Sequence, residues 1–385
     1  MYQRLGPRKT VRHLEESLEK KHLRPQDFSI RELAESLVPN GREWVYSMNP
    51  GKSGFSHLLE AGSVDYSHFS NITGQIFFTM VKESYEDEEF VFSKLVPTKT
   101  STILDTEKVP GIGNMGDEFS KPLEEGQAYP HLGVAEDYIE IAAKRKRGGI
   151  VAVTKEAIAG DKTGILLERC QRLGFYLGLN KEKRIIDAII DENDGATSIT
   201  NGGHRYHWKG TSYATYQASS PWINLATSNA LVDWTDVEAA ELKLAAITDP
   251  YTGEPILVQP THLVVTPDLK HTAYRIMAAT NVQTHAGGYA TSGNLQDYHA
   301  PSPLDPYKVL TSRLLKARLA TDTTWFLGNP SKAFSYFENW GIQTAQQGSG
   351  SEDEFNRDIV MKFKASERGA MATMEPRLMV KCTVA

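Results

Sequence analysis

The feature that most limits what this chain can fold into is an aperiodic stretch bracketed by two runs that have strand character. On one side Pro97–Leu104 sets Thr98, Thr100, Thr102 and Leu104 in alternation with Lys99, Ser101 and Ile103. On the other, Val134–Ile141 carries Tyr138 and Glu140, and Ile150-Val-Ala-Val153 follows. Both flanks are rich in residues that suit a pleated, half-buried surface. Between them, Glu107 to His131 is rich in Gly and Pro, with Pro110, Pro122 and Pro130, and has no period. The pattern predicts a long hairpin whose tip reaches outward, because structureless loops beyond about 15 residues are usually functional or mobile. A two-stranded ribbon alone is marginal in water, so something outside the subunit should hold it.

The rest of the chain is more regular. Leu166, Cys170, Leu173 and Leu177 step by helical intervals, and Ile185, Ile186, Ile189 and Ile190 resume the stripe, which predicts the longest helix from a cap at Asp161 to about Asn193. Before the hairpin, Ile72, Ile76, Phe77, Met80 and Val81 share one helix face from about Ser70, closed by the acidic Tyr85-Glu-Asp-Glu-Glu89. Ser29-Ile-Arg-Glu32 reads as a capping box for a short helix stopped by Pro39-Asn-Gly41, and Thr10–Leu23 as another helix. Residues 40–65 read as an extended arm. After Asn193-Asp-Gly195, a helix capped near Asp233 or Thr235 puts Val237, Ala240, Leu244 and Ile247 on one face. A strand over Ile256–Val265 follows, with Pro267 in the first turn of the next helix, and strand-like runs recur at Thr324–Leu327, Ala333–Phe337, Phe355–Lys364 and Leu378–Val384. The class is α+β, without the regular alternation of a doubly wound sheet.

Composition narrows the function. At 385 residues, two to three domains are expected, and 40% hydrophobic with 23% charged residues excludes disorder as the main state. No apolar run approaches the roughly 18 residues of a membrane span, and no signal segment follows Met1. Two cysteines, Cys170 and Cys382, make no disulfide framework and are expected to stay reduced in the core. The net charge of −6 argues against a surface that wraps nucleic acid everywhere. Yet the first 24 residues hold seven Lys/Arg, among them Arg4, Arg8, Lys9 and Arg12, against three Glu. That arm is either a solvated helix or a contact for a polyanion.

Short motifs carry little chemistry. Gly111-Ile-Gly-Asn-Met-Gly116 spells a dinucleotide pattern, but Pro110 precedes it in place of an apolar strand and no long helix follows. His204-Arg-Tyr-His207 sits between glycines as a turn, with no third ligand in sight for zinc. The basic run Lys144-Arg-Lys-Arg147 fits phosphates, an acidic neighbour such as Glu86–Glu89, or a solvated face. No nucleophile, base and orienter assemble. No catalytic residue, metal or cofactor is therefore assigned, and no enzyme activity is expected.

The order of segments is more specific than any motif. Gly149-Ile-Val-Ala-Val-Thr-Lys-Glu-Ala-Ile-Ala-Gly-Asp161 leads into the long helix. Asp249-Pro-Tyr-Thr-Gly-Glu-Pro-Ile256 precedes Thr261-His-Leu-Val-Val-Thr-Pro267, and Phe355-Asn-Arg-Asp-Ile-Val-Met-Lys-Phe-Lys364 and Glu375-Pro-Arg377 close the chain. Over roughly residues 66–385 this order resembles the major capsid proteins of tailed bacteriophages, the fold named for phage HK ninety-seven. The resemblance implies an N-terminal arm (1–65), a peripheral domain opening at 66–95, an extended hairpin loop (96–150), a spine helix (151–193), an axial α/β domain (194–350) and C-terminal strands of the peripheral domain (351–385). It also implies pentamers and hexamers of one chain closing into an icosahedral-type shell around double-stranded DNA bound without sequence preference. Portal and scaffold or decoration proteins would be further partners, with assembly in the host cytoplasm and a final place in the virion. Leu104, Ile112, Phe119 and Leu123 are then the apolar loop positions that neighbouring copies would bury, and Arg4, Arg8, Lys9 and Arg12 the inner-face polyanion contacts. The alternatives are an encapsulin-type compartment and, from another class, an α+β enzyme with a lid at 107–131.

Overall fold

The computed structural model describes residues 13, 16–17, 20, 22–24, 29–37, 63–111, 122–125, 138–160, 162–191, 206–249, 253, 255–278, 281–285, 295–299, 307–347 and 358–384. Its helices are α1 (Ile30–Leu37), α2 (Ser63–Tyr85), α3 (Val91–Leu95), α4 (Lys155–Ala159), α5 (Thr163–Ile190), α6 (Trp234–Ala245), α7 (Lys270–Met277), α8 (Arg313–Arg318) and α9 (Pro330–Ala333). The early strands are β1 (Thr98–Thr100), β2 (Glu107–Pro110), β3 (Tyr138–Ile141), β4 (Arg145–Thr154), β5 (Tyr206–Trp208), β6 (Thr211–Tyr213) and β7 (Leu225–Thr227). The later ones are β8 (His262–Val265), β9 (Asn281–His285), β10 (Leu295–His299), β11 (Lys308–Thr311), β12 (Trp325–Gly328), β13 (Phe334–Gln347), β14 (Ile359–Thr373) and β15 (Met379–Thr383). Two compact units result: Met1–Phe90 with Lys146–Lys181 and Trp340–Arg368, and Val91–Arg145 with Glu182–Asn339 and Gly369–Ala385.

In the first unit the apolar stripe of α2, Ile72, Ile76, Phe77, Met80 and Val81, is buried against Leu166, Leu167, Cys170 and Leu177 of α5. Strands supply the other wall. Val151 and Val153 of β4 and Met361, Phe363 and Ala365 of β14 alternate into this core, as a period of two requires. Phe77 meets Phe363 edge-on at 4.3 Å between centroids. The two helices approach closely because α5 carries Gly174 and Gly178: a Cβ at Gly174 would lie 2.3 Å from the Val81 carbonyl oxygen, and one at Gly178 2.7 Å from that of Tyr85. Ser29 caps α1 by accepting from the Glu32 N–H at 3.3 Å. Helix α2 ends at Tyr85, before the acidic run, and begins at Ser63, earlier than the apolar spacing suggests.

The second unit is built on a five-stranded sheet in the order β11-β8-β12-β15-β7. Its central strands are apolar on both faces. Leu263, Val265, Trp325, Leu327, Val380 and Cys382 face the side where Val237, Ala240 and Leu244 of α6 and Ala273 of α7 pack. Val264, Phe326 and Met379 face the opposite side, with Ile185, Ile186, Ile189 and Ile190 of α5, Phe92 of α3 and Leu315 of α8. Helices on both faces explain why β8 and β12 read as nearly unbroken apolar runs, whereas β15 is interrupted by Lys381. Of the two caps the sequence offers for α6, the structure uses Asp233, in a reciprocal capping box with Asp236. The C-terminus of α5 is closed by the Tyr216 hydroxyl, which donates to the Ile189 carbonyl at 2.6 Å, and by Lys381 Nζ, which donates to that of Ile190 at 2.9 Å.

Several expectations change. The strand over Ile256–Val265 narrows to β8, and α7 starts at Lys270, after Pro267. His207 lies on β5, and the turn follows it, where Lys209 and Gly210 have φ of 49° and 77°, the left-handed pair that a tight hairpin needs. The hairpin is redrawn more deeply. Thr98–Thr100 does not pair with the run ending at Ile141; it joins β13 in parallel, Thr98 opposite Tyr336 and Thr100 opposite Glu338. The strand that does pair with β3 is β2, whose residues read from sequence as part of the tip. Alternating threonines mark a strand but leave its partner open, and partner choice here is set by contacts distant in sequence.

Candidate functional site

The long loop springs from a four-stranded sheet, β2-β3-β5-β6. Strands β2 and β3 are antiparallel, with Glu107 opposite Ile141, Lys108 opposite Glu140, Val109 opposite Ile139 and Pro110 opposite Tyr138. One face of β3 sends Ile139 and Ile141 into a core with Tyr206, Trp222, Phe337, Ala372 and Met374. Trp222 is ringed by Tyr206, Tyr213 and Trp208 at 5.3, 5.6 and 6.2 Å between centroids. On the other face Lys108 Nζ lies 4.3 Å from the centre of the Tyr138 ring and 3.6 Å from the Glu140 carboxylate. This cross-strand cation is held from both directions.

At the base of the sheet sits a buried polar cluster. Lys144 Nζ donates to Glu107 Oε2, and the Lys144 side chain has no exposed surface. The Ser101 hydroxyl donates to the same oxygen at 2.5 Å. Burial alone would raise the Glu107 carboxyl, but the hydrogen bonds from Lys144 and Ser101, with the charge of Lys144, hold it below its ordinary value. Ser101 is tied in turn to β13: its N–H donates to the Glu338 carbonyl at 2.8 Å, and Asn339 Nδ2 donates to the Ser101 and Ile103 carbonyls at 2.7 and 2.9 Å. The connection from β1 to β2 is therefore pinned at both ends. The cluster clamps the start of β2 to the segment after β3 and, through Ser101, to β13.

The sequence missed this use of Lys144, which reads there as one member of a basic run. Its signal is the apolar Ile141-Ala-Ala143 immediately before it, buried at Ile141 and Ala142, which carries the lysine indoors. Only Arg145 and Lys146 of that run are exposed. Of the four positions expected on the loop, Leu104 falls before it, in the β1–β2 connection, and is 46% exposed, while Leu123 is 38% exposed; Ile103 is as open as Leu104. Ile112 and Phe119 lie outside the described residues, as do Arg4, Arg8, Lys9 and Arg12 of the arm, the cap Asp161 and most of the glycine motif. Among the described residues no group of three His, Cys, Asp or Glu is placed to hold a metal ion, and no described helix is long and apolar enough to cross a membrane.

Residues 138–382, from the first residue of β3 to the penultimate residue of β15, match the family model described as phage capsid protein. The chain is a structural protein of viral shells. It belongs to the phage capsid protein family. A capsid is built from many copies, so the first partner of this chain is itself, and its place is the virion. Membership does not favour the alternatives of a cargo compartment or a lidded enzyme. No curated protein sequence matches the chain. Similar solved structures include the capsid of cyanophage P-SCSP1u (12% identity, 77% of this chain and 88% of that one, TM-score 0.41). Others are the capsid of cyanophage Pam1 (12%, 76% and 90%, 0.44) and a virus-like particle from Pyrococcus furiosus (10%, 80% and 97%, 0.41).

Proposed function

We propose that this chain is the major head subunit of a tailed phage. Copies join head to tail into pentamers and hexamers, which close into an icosahedral-type shell around double-stranded DNA. The loop between β2 and β3 lies over a neighbouring copy, and the basic arm with Arg4, Arg8, Lys9 and Arg12 faces inward. The arm (1–65), loop (96–150), peripheral segments (66–95, 151–193 and 351–385) and axial domain (194–350) divide these tasks, with assembly in the host cytoplasm. Portal and scaffold or decoration proteins complete the particle.

The observation that carries this reading is the contrast at the loop's root. The strands are clamped by a buried ion pair and an aromatic core, whereas Leu123 of the loop stands 38% open, and Ile103 and Leu104 beside its root, in the connection from β1 to β2, 46% open. A subunit that fixes the base of a loop so firmly and leaves its apolar residues to solvent supplies one half of an interface. Electron microscopy of the purified chain tests it. Rings or closed particles are expected, and a stable monomer at all concentrations would sink it. Nuclease protection of packaged DNA, with Arg4, Arg8, Lys9 and Arg12 neutralised together, tests the arm; unchanged packaging would make it a solvated extension.

A further inference from the structure

Leu257 is 99% exposed, the most open of the large apolar side chains described. It is not on a loose strand. Its neighbours Ile256 and Val258 pack against the core beneath α6, so the backbone alternates inward, outward, inward, with a leucine at the outward position. The Ile256 N–H donates to the Ile247 carbonyl at 3.1 Å, Pro255 bridges Thr248, and the Gly253 N–H donates to the Asp249 carbonyl at 2.8 Å. Gly253 has a φ of 71°, which lets the chain reverse here.

That turn is anchored from below. Asp249 is 1% exposed, and its carboxylate accepts from Arg377 Nη1 at 3.2 Å. The same guanidinium forks onto Glu375, Nε to Oε1 at 2.5 Å and Nη2 to Oε2 at 2.7 Å. The bridge to Thr248 and the bond to Ile247 set Leu257 beside the end of α6. The solvent face of that helix carries Leu242, 64% exposed, with exposed Ala245 and the following Ala246 at the next helical steps. A single exposed leucine is ordinary; two leucines and two alanines on a pinned frame make a contiguous patch on the order of 300 Å².

We propose that the patch of Leu242, Ala245, Ala246 and Leu257 is a contact surface for a second copy of this chain, an inference that rests on the shell reading. Size selects the occupant. A stable pairwise complex buries about 800 Å² on each partner, so a foreign protein seated on this patch alone would not be held. A copy already tied through other surfaces of a ring or shell gains the patch as one increment among several, repeated at every subunit. The buried Arg377 anchor also removes the ordering cost that a mobile loop would impose on docking.

The test uses Leu257→Cys in the full chain, because the native Cys170 and Cys382 are buried at 1% and 0% exposure and stay silent to a maleimide. Labelling at position 257 is expected to slow at least tenfold when free subunits assemble, since only another copy is available to cover it. The double variant Leu242→Gln, Leu257→Ser should unfold at the wild-type midpoint yet need at least tenfold more protein to assemble. Particles in which position 257 labels as fast as in free subunits overturn the surface alone, as does a double variant that assembles at wild-type concentration. A double variant that loses its cooperative unfolding shows the patch to be the subunit's own core and overturns it too. A wild-type chain that forms no multimer at all overturns the shell reading beneath it.

Discussion

Lys144 and Glu107 are bonded to each other but enclosed unequally: the lysine side chain is 0% exposed and the glutamate 17%. Removing one partner of a buried pair costs most when the survivor cannot reach water. Glu107→Gln takes the carboxylate charge away from a lysine with no exposed surface and is expected to cost about 3–5 kcal/mol. Lys144→Met leaves a carboxylate that is partly open and still accepts from Ser101, so about 1–3 kcal/mol is expected. Chemical denaturation of both variants measures the difference, and equal losses would contradict the asymmetry.

The same pair gives a pH signature. Against the opposing effect of burial, the hydrogen bonds from Lys144 and Ser101 and the Lys144 charge leave the Glu107 carboxyl below its usual 4.5. A depressed folded value means that the unfolded chain takes up the proton first as pH falls. The stabilisation is whole above about 4.5 and is lost as pH drops through the folded value. The gap in stability between wild type and Glu107→Gln should therefore hold at neutral pH and shrink as the pH falls through and below 4.5. Thermal unfolding across that range checks it; a constant gap would mean that the carboxylate is not the charged partner.

Gly174 and Gly178 allow α5 to meet the end of α2 at backbone distance. Alanine is the better helix former by about 1 kcal/mol, so an exposed site would gain from Gly174→Ala. Here the added methyl would stand 2.3 Å from the Val81 carbonyl oxygen, and backbone cannot step aside as a side chain does. A net loss of about 2–4 kcal/mol is expected, with α5 displaced from α2. A neutral or stabilising result in the folded subunit would show that the helices part freely.

Both thiols are pushed up, chiefly by burial, from 9.0 to about 12. A raised folded value keeps the protonated form in the native state, so this contribution is complete below about pH 9 and is lost as pH rises towards 12. Thiol reagents should titrate two groups per chain only after unfolding, with no disulfide under non-reducing denaturation. Fast labelling of either native cysteine in folded protein would place it at the surface.

What the sequence makes legible follows from what is local. The stripes of α2, α5 and α6 are periodic, and the residues the period selects are buried, from Ile72 to Val81 and from Leu166 to Ile190, except Leu173, which is half-buried. Asp233 caps α6 through bonds within three residues. Partner choice is not local. Nothing in Thr98-Lys-Thr100 says that it joins Tyr336–Glu338, and nothing in the basic run says that Lys144 turns inward to a glutamate 37 residues earlier. The patch at Leu257 was equally hidden, since its exposure depends on Ile256 and Val258 packing inward on either side. The four apolar loop positions and the arm rest on resemblance, which orders segments without supplying contacts.

The loop itself gives the last prediction. Because β2 begins at Glu107, excising the tip from that residue would also remove the carboxylate beneath Lys144 and confuse assembly with folding. The replacement should keep Pro110 and Tyr138, which face each other at the end of the ladder, and exchange only residues 111–137 for Asn-Gly. That dipeptide takes the left-handed conformations of a two-residue hairpin turn. The aromatic core around Trp222, the clamp at Lys144 and the Lys108–Glu140 pair are all retained. The variant should stay soluble, with far-ultraviolet circular dichroism and an unfolding midpoint close to wild type. What it loses is apolar area that neighbouring copies would bury at roughly 25 cal/mol per Å², so a few hundred Å² would remove several kcal/mol per subunit from assembly and little from folding. Sedimentation and electron microscopy should find rings or free subunits in place of stable closed particles. Normal particles would make the loop dispensable, and loss of the cooperative transition would make it part of the subunit's own core.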